Sequence, residues 1–363
     1  MPRLELRLSC YKLKYLKDRL KDKKLTIEGI KKKMQIDFHY YCIFVLAFHA
    51  GFEKEDARTV AYSSQYVDDA TESRPINLEQ FLFDPIRTAY YSLRAYNWDI
   101  QKKIYLPFHF LPPKPLRSTN NFTYVTQPNS YFAKTMLKEA TKKKTENWLH
   151  RLGIALHTYA DTWAHEGFSG RQNTENNVED INLYEKEKWK HSLWENIFLD
   201  ALPMIGHCEA NRFPDLPFLT WKYKNYKNQW IERNNTQKFL LAAETIFNEL
   251  CQVIGERETR WQQLEEIAKE LFLCDVDLNK RCKAWVERFP KIFETQEDIY
   301  DKVTWRKEAL GTESDRNYQW DDLSPEKFEA LKFKVKENFF DSNWVNFQRA
   351  AFLQRNFVLY NLT

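Results

Sequence analysis

The chain has 363 residues, of which 43% are hydrophobic and 16% aromatic, with 8 glycines. That composition excludes an intrinsically disordered chain and argues against a turn-rich sheet protein. The net charge of +4 is uneven: residues 1–33 carry 12 Lys or Arg against 4 Asp or Glu, the remainder 43 against 47. The main body therefore does not have the basic surface of a general nucleic-acid binder.

The basic opening segment, 1–33, reads as an N-terminal extension ahead of Met34. It is either a solvated basic helix or a contact for an anionic partner. It lacks the apolar core of a signal peptide, and no apolar run in the chain approaches the roughly 18–20 residues of a membrane span. Six cysteines (Cys10, Cys42, Cys208, Cys251, Cys274, Cys282) with no C-x-x-C pair read as reduced thiols. A cytoplasmic location is the expectation.

From Asp37 to Ala50 the apolar and aromatic run predicts a buried helix, and E-D-A-R-T-V-A-Y-S-S-Q-Y-V-D-D predicts a second over 55–69. The stretch 71–130 holds Pro107, Pro112, Pro113 and Pro115 and reads as long loops, with one helical piece near Asp84–Leu93. A helix over 129–141 precedes a longer one from Thr145 to Phe168, stopped by Gly167 and Gly170. Residues 171–185 read as a polar loop, Glu185–Leu202 as a helix, and 206–218 as a proline-punctuated loop. The loops of 71–130 and 171–182 are expected to shape a substrate pocket. Beyond Trp221, long helical patterns such as Gln237–Leu271 lead to a final pair after Ser324. There Ser324 is a helix N-cap and Pro325 the first helical residue. Together these predict an all-α protein, a multi-helix bundle with long irregular loops around a buried metal site. Residues 34–220 form its metal-site core, and 221–363 a helical C-terminal region packed on that core.

The chemistry centres on His157-x-x-x-Asp161-x-x-x-His165. A spacing of four turns each successive side chain only about 40° around a helix, so all three leave one face. The two histidines stand about 12 Å apart along the axis, too far for one ion. The spacing instead favours Asp161 as a bridge between two metals, each taking one histidine. The bland alternative is a polar core in which these groups hydrogen-bond one another. Against it stand further histidines in apolar surroundings: His39 in I-D-F-H-Y-Y, His109 in L-P-F-H-F-L-P and His207 in P-M-I-G-H-C-E. Buried imidazoles near carboxylates are the makings of a zinc site. Asp68 and Asp69 close a predicted helix at the end where acidic groups are unfavourable, so a compensating cation fits there. His191 and Glu195 form a further H-x-x-x-E pair on a more exposed predicted helix. His49 and His150 read as ordinary core or surface histidines.

At these residues the sequence resembles known proteins in two ways. The segments M-Q-I-D-F-H-Y-Y, S-S-Q-Y-V-D-D-A-T, L-H-R-L-G-I-A-L-H-T-Y-A-D-T-W-A-H-E-G-F-S-G and I-G-H-C-E-A-N-R-F-P-D-L-P-F resemble a bacterial family of unknown function, from Met34 to about Tyr223. More distantly, the plan is similar to the zinc-dependent phospholipase C and single-strand nuclease superfamily, all-helical enzymes that hydrolyse phosphodiesters with a zinc cluster. That superfamily's order is an early His, an aromatic-x-Asp, an H-[FY]-[IV]-like segment, a helix with H-x-x-x-D and a further His, and a closing H-x-x-x-[DE]. Here it would run through His39, Tyr66-Val67-Asp68, His109-Phe110-Leu111, His157 with Asp161, His165, and His191 with Glu195. The G-H-x-E segment makes His207 the stronger rival to His191. The superfamily's N-terminal Trp has no counterpart, so either the third metal is missing or Asp37 stands in for that ligand.

The function expected is a metal-dependent hydrolase acting on a phosphoester through a metal-activated water. His39, Asp68, His109, His157, Asp161, His165 and His207 would hold two or three divalent ions, zinc first by ligand type. Asp68 or Asp69 would be the general base. An amidohydrolase or lyase is the nearest variant of that reading. The alternative is a non-enzymatic protein with a structural metal cluster and a helical partner-binding C-terminal region.

Overall fold

Aliphatic and aromatic residues follow one another without a breaker in I-D-F-H-Y-Y-C-I-F-V-L-A-F, and the chain is helical throughout that run. The structure, a computed structural model, describes residues 36–362 apart from 79–80, 91–96, 116–122, 193–204, 257–259, 312–322, 330, 332 and 336. The N-terminal extension 1–33 lies outside the described residues.

A π-helical turn, Asp37–Cys42, runs directly into α1, Ile43–Ala50. Every residue of the turn is buried, so its charge needs a partner: Asp37 accepts from Arg281 Nε at 2.7 Å. Helix α2, Lys54–Asp69, opens with Glu55 and Asp56, which suit the positive end of the helix dipole. A short antiparallel hairpin pairs β1, Ile76–Asn77, with β2, Leu82–Phe83. Helix α3 covers 98–108 and is π-helical in its middle, Gln101–Tyr105. Helix α4, Tyr131–Thr141, is capped by the Ser130 hydroxyl, which accepts from the Ala133 amide. Helix α5, Trp148–Ala164, is buried along almost all of its length, as a helix with apolar residues all round should be. It meets α2 where a Cβ on Gly153 would stand 2.3 Å from the Val60 carbonyl oxygen, so only glycine permits that approach.

The chain then leaves the helical pattern. Strands β3 (Val178–Glu185), β4 (Lys188–His191), β5 (Thr220–Asn225) and β6 (Trp230–Asn234) form one antiparallel sheet in the order β4-β3-β5-β6. With 55% helix, 10% strand and two antiparallel sheets, the chain is mixed α/β, which corrects the all-α expectation. The predicted helix at 185–202 is strand up to His191, and 193–204 lie outside the described residues. The Lys/Glu-rich turn conceals the hairpin: Lys186 and Glu187 both take positive φ, a conformation their side chains do not advertise. In β5 the period-two signal is plain afterwards, with Trp221 and Tyr223 buried between less buried Lys222 and Lys224.

Helix α6, Asn235–Ile254, stops on left-handed Gly255, and α7, Trp261–Phe272, starts anew, so 237–271 is two helices where one was expected. Helices α8 (Leu278–Arg288), α9 (Thr304–Leu310), α10 (Pro325–Glu329) and α11 (Asn343–Leu362) complete the chain. The Ser324 hydroxyl accepts from the Lys327 amide, as its expected N-cap role requires. No regular structure covers 84–90, where a helical piece was expected, and 91–93 lie outside the described residues. One apolar cluster unites α1, α2, α5, α6 and α11. A smaller one, including Tyr105, Phe110, Phe168, Ile181, Trp221 and Tyr223, joins the inner face of the sheet to α3 and the end of α5. Among the described residues, no helix is long and apolar enough to cross a membrane.

Two consequences follow for stability. Gly153→Ala should destabilise the protein by about 1–3 kcal/mol, because the extra methyl meets backbone; an unchanged denaturant midpoint would contradict this packing. His150 is buried, with Nε2 3.0 Å from Asn343 Oδ1, and burial lowers its pKa from 6.5 to about 4. Its folded pKa lies below the unfolded one, so its stabilisation is full above pH 6.5 and is lost as pH falls towards 4. That loss is on the order of 3 kcal/mol. Unfolding of His150→Gln across this window should be correspondingly less acid-sensitive than wild type, and an identical pH profile would contradict the assignment.

Candidate metal centre

Six segments deliver polar side chains to the interior between α2, α3 and α5. The π-helical turn supplies His39, the last turn of α2 supplies Asp68, the C-cap of α3 supplies His109, and α5 supplies His157 and Asp161. The loop after the sheet's second strand adds His207, and a single 3-10 turn, Phe213–Asp215, adds Asp215. His39 lies in a π-helical turn and His109 just beyond a helix that is π-helical in its middle, a backbone irregularity that recurs at functional sites.

Asp161 is the hub of an inner group. Its Oδ1 lies 3.3 Å from His39 Nε2, and its Oδ2 lies 3.2 Å from His109 Nδ1 and 3.4 Å from His157 Nε2. His109 Nδ1 and His157 Nε2 face each other at 3.2 Å, and Asp68 Oδ1 stands 3.8 and 3.9 Å from them. The rings of His39 and His157 are stacked with centroids 3.9 Å apart. An outer group follows: Asp215 places Oδ1 3.7 Å from His165 Nε2 and Oδ2 3.5 Å from His207 Nε2. Three sets of potential ligand atoms, each within 4.8 Å, can hold a metal ion: His39, Asp68 and His157; His109, His157 and Asp161; His165, His207 and Asp215.

Backbone carbonyls fix which nitrogen of each ring faces inward. His109 Nε2 donates to the Thr88 carbonyl at 2.9 Å, which turns Nδ1 to the inner group. His165 Nδ1 donates to the His109 carbonyl at 2.7 Å, and His207 Nδ1 to the Asn211 carbonyl at 2.6 Å, which turns both Nε2 atoms to Asp215. Such outer hydrogen bonds set the tautomer of a metal-binding imidazole. Buried Gln354, on α11, adds a brace: its Nε2 donates to the Pro107 carbonyl and to the Thr158 hydroxyl, tying the end of α3 to α5 beside His109 and His157. Phe110 stacks on His165 at 4.3 Å, and it can do so because Gly206 has no Cβ, which would lie 2.3 Å from the Phe110 ring.

The donor set fits a divalent metal better than a satisfied polar core. Both nitrogens of His39, Nδ1 of His157, Oδ1 of Asp161, Nε2 of His165 and both oxygens of Asp215 are buried without a hydrogen-bond partner. A buried carboxylate left in that state is strongly unfavourable unless a cation compensates it. Burial pushes the Asp161 carboxyl up, yet His165, His157 and hydrogen bonds from His109 and His157 hold it well below the usual carboxylate range. Burial, reinforced by His39 alongside, keeps His157 well below the ordinary histidine value and hence neutral, the form that binds metal. Burial likewise lowers His207. At His165 burial is outweighed by Asp161 and Asp215, which raise it.

All seven expected ligands, His39, Asp68, His109, His157, Asp161, His165 and His207, therefore converge. To the expected bridge of Asp161 between His157 and His165 the structure adds a second carboxylate: His165 places Nδ1 3.6 Å from Asp161 Oδ2 and Nε2 3.7 Å from Asp215 Oδ1. His165 is the C-cap of α5, with φ −92 and ψ 16, and its Nδ1 donates to the His109 carbonyl, which leaves Nε2 towards Asp215. Asp215 was not singled out from sequence, although a carboxylate inside the apolar run F-P-D-L-P-F was the available signal. Asp69 joins neither group; its Oδ2 accepts from Gln65 Nε2 and the Tyr300 hydroxyl. His191 is exposed on β4, and Glu195 lies outside the described residues. Asp37 is committed to Arg281 and supplies no third-metal ligand.

Comparison with known proteins adds one finding. The model of a family of unknown function, DUF6765, matches residues 34–362, well beyond the Tyr223 limit expected from the motifs. No curated protein and no solved structure matches the chain.

Purified wild-type protein should carry bound divalent metal, and His157→Ala should lose the metal of the inner group while Asp215→Asn loses that of the outer. Elemental analysis of the three proteins checks this. Metal content that neither substitution changes would contradict the site.

Proposed function

We propose that this chain, which belongs to DUF6765, is a metal-dependent hydrolase that acts on a phosphoester. The observation that carries the reading is the contrast between the two groups. The inner one gathers five buried side chains, whereas the outer one offers three ligand atoms, and its His207 side chain is the most accessible of the outer set at 11%. Structural sites are usually closed by protein ligands, and catalytic ones keep a position for water or substrate. Imidazole and carboxylate donors are ligand types that zinc accepts, and zinc is the first ion to test. The order of motifs from His39 to His165, similar to that of the phospholipase C and nuclease superfamily, supports a phosphoester as the substrate class.

When bound, the ions would supply Lewis-acid polarisation of the phosphoryl group and lower the pKa of water. The chain's own residues do the rest. His39, His109, His157 and Asp161 hold the inner group rigid through α1, α3 and α5. Of the two carboxylates expected as general base, Asp68 faces the inner group, 3.8 Å from His109 Nδ1, and would accept a proton from a water held there. Asp69 is turned to Tyr300 and would not. Phe110, stacked on His165, keeps bulk water from that side of the outer group.

A chromogenic phosphodiester assay tests the reading. Metal-loaded wild type should turn the ester over, and Asp161→Ala should reduce the rate by at least about 100-fold, the scale of losing a group that organises charge in the transition state. Metal-loaded wild type with no turnover above that control would favour the alternative, a structural metal cluster in a non-enzymatic protein.

A further inference from the structure

The strands of the four-stranded sheet carry no residue of either metal-competent group, yet one of them reaches the centre through a single side chain. Arg233 is the one buried residue of β6, at 2% exposure. Its guanidinium passes beside the Trp221 ring, 5.9 Å from the centroid, and ends at the C-terminus of α5. There Nη2 donates to the Trp163 carbonyl at 2.9 Å and the Ala164 carbonyl at 3.0 Å, and Nη1 donates to the Glu166 carbonyl at 3.0 Å. Those carbonyls bracket His165: the one at 164 belongs to its own peptide bond, and 166 is the next residue. Glu166 is steadied in turn by Lys238 Nζ at 2.7 Å from its carboxylate.

The last carbonyls of a helix have no partner within it and carry partial negative charge, so a buried guanidinium fork satisfies both needs together. What makes this cap unusual is where it falls. The backbone of His165 departs from helical geometry at this point, where its Nε2 faces Asp215 at 3.7 Å and its Nδ1 donates to the His109 carbonyl. We propose that Arg233 is a positioning residue for the outer group: by clamping the carbonyls on either side of His165 it sets the direction of that imidazole, and through it the affinity of the ion held with His207 and Asp215. The proposal rests on the metal-site reading above, and it gives the sheet a part in the chemistry.

Cobalt(II) titration followed by visible absorption tests it without recourse to activity. Asp215→Asn identifies the spectral component of the outer group. Arg233→Gln should weaken that component on the order of 10–100-fold, the range for losing a group that orients a ligand, and leave the inner component unchanged. Arg233→Lys, which keeps the charge and loses the fork, should fall between wild type and Arg233→Gln. Two results would overturn the proposal. Either the outer component is unshifted in both variants, or both components weaken in step with a fall in melting temperature, as a purely structural cap would produce. Wild type that takes up no cobalt would overturn the metal-site reading itself, and is thereby distinguished from failure of the Arg233 proposal alone.

Discussion

A carboxylate buried among imidazoles is the constraint around which this structure is built. Asp161 is 1% exposed in the last turn of α5, and Asp215 is fully buried nearby. Neither charge could be kept in an apolar interior without compensation of several kcal/mol. The surrounding histidines give part of it, but their contacts of 3.2–3.7 Å leave several donor and acceptor atoms without hydrogen bonds. A divalent cation at each group would resolve the imbalance, since neutral imidazoles and ionised carboxylates are the forms that bind one.

The fold can be understood as the apparatus that holds those charges in place. Gly153 lets α2 approach α5 closely, which brings Asp68 towards His157. The π-helical turn before α1 and the C-cap of α3 each bring one histidine inward, and carbonyls of Thr88, His109 and Asn211 select the nitrogen presented by His109, His165 and His207. The C-terminal helix α11, which carries no histidine, enters the same account through Gln354. It belongs to the same apolar cluster as α1 and α5, consistent with a family match that runs to residue 362.

How much of this was legible beforehand depends on the kind of signal. The candidate residues were legible from several signals: His39, His109 and His207 stand in apolar surroundings, His157, Asp161 and His165 are spaced by four, Asp68 closes a helix, and all seven lie in the centre. Helices α2, α4 and α5 were legible from their periodicity. The sheet was not, because its hairpin turns on Lys186 and Glu187 instead of glycine or asparagine, and its strands are rich in charged residues usual on helices. The division into inner and outer groups was also hidden. It depends on one residue, His165, falling just beyond the last helical turn, and on Asp215, which the closing H-x-x-x-[DE] pattern does not anticipate because it lies eight residues after His207. Braces such as Arg233 and Gln354 act across 67 and 247 residues of sequence, and no local pattern announces them.

The most direct measurement is anomalous diffraction from crystals of wild-type protein, with data collected on either side of the zinc absorption edge. The account predicts one anomalous peak among His39, Asp68, His109, His157 and Asp161, and a separate one among His165, His207 and Asp215. An interior without anomalous density, in which those side chains close up into hydrogen bonds with one another, would contradict it.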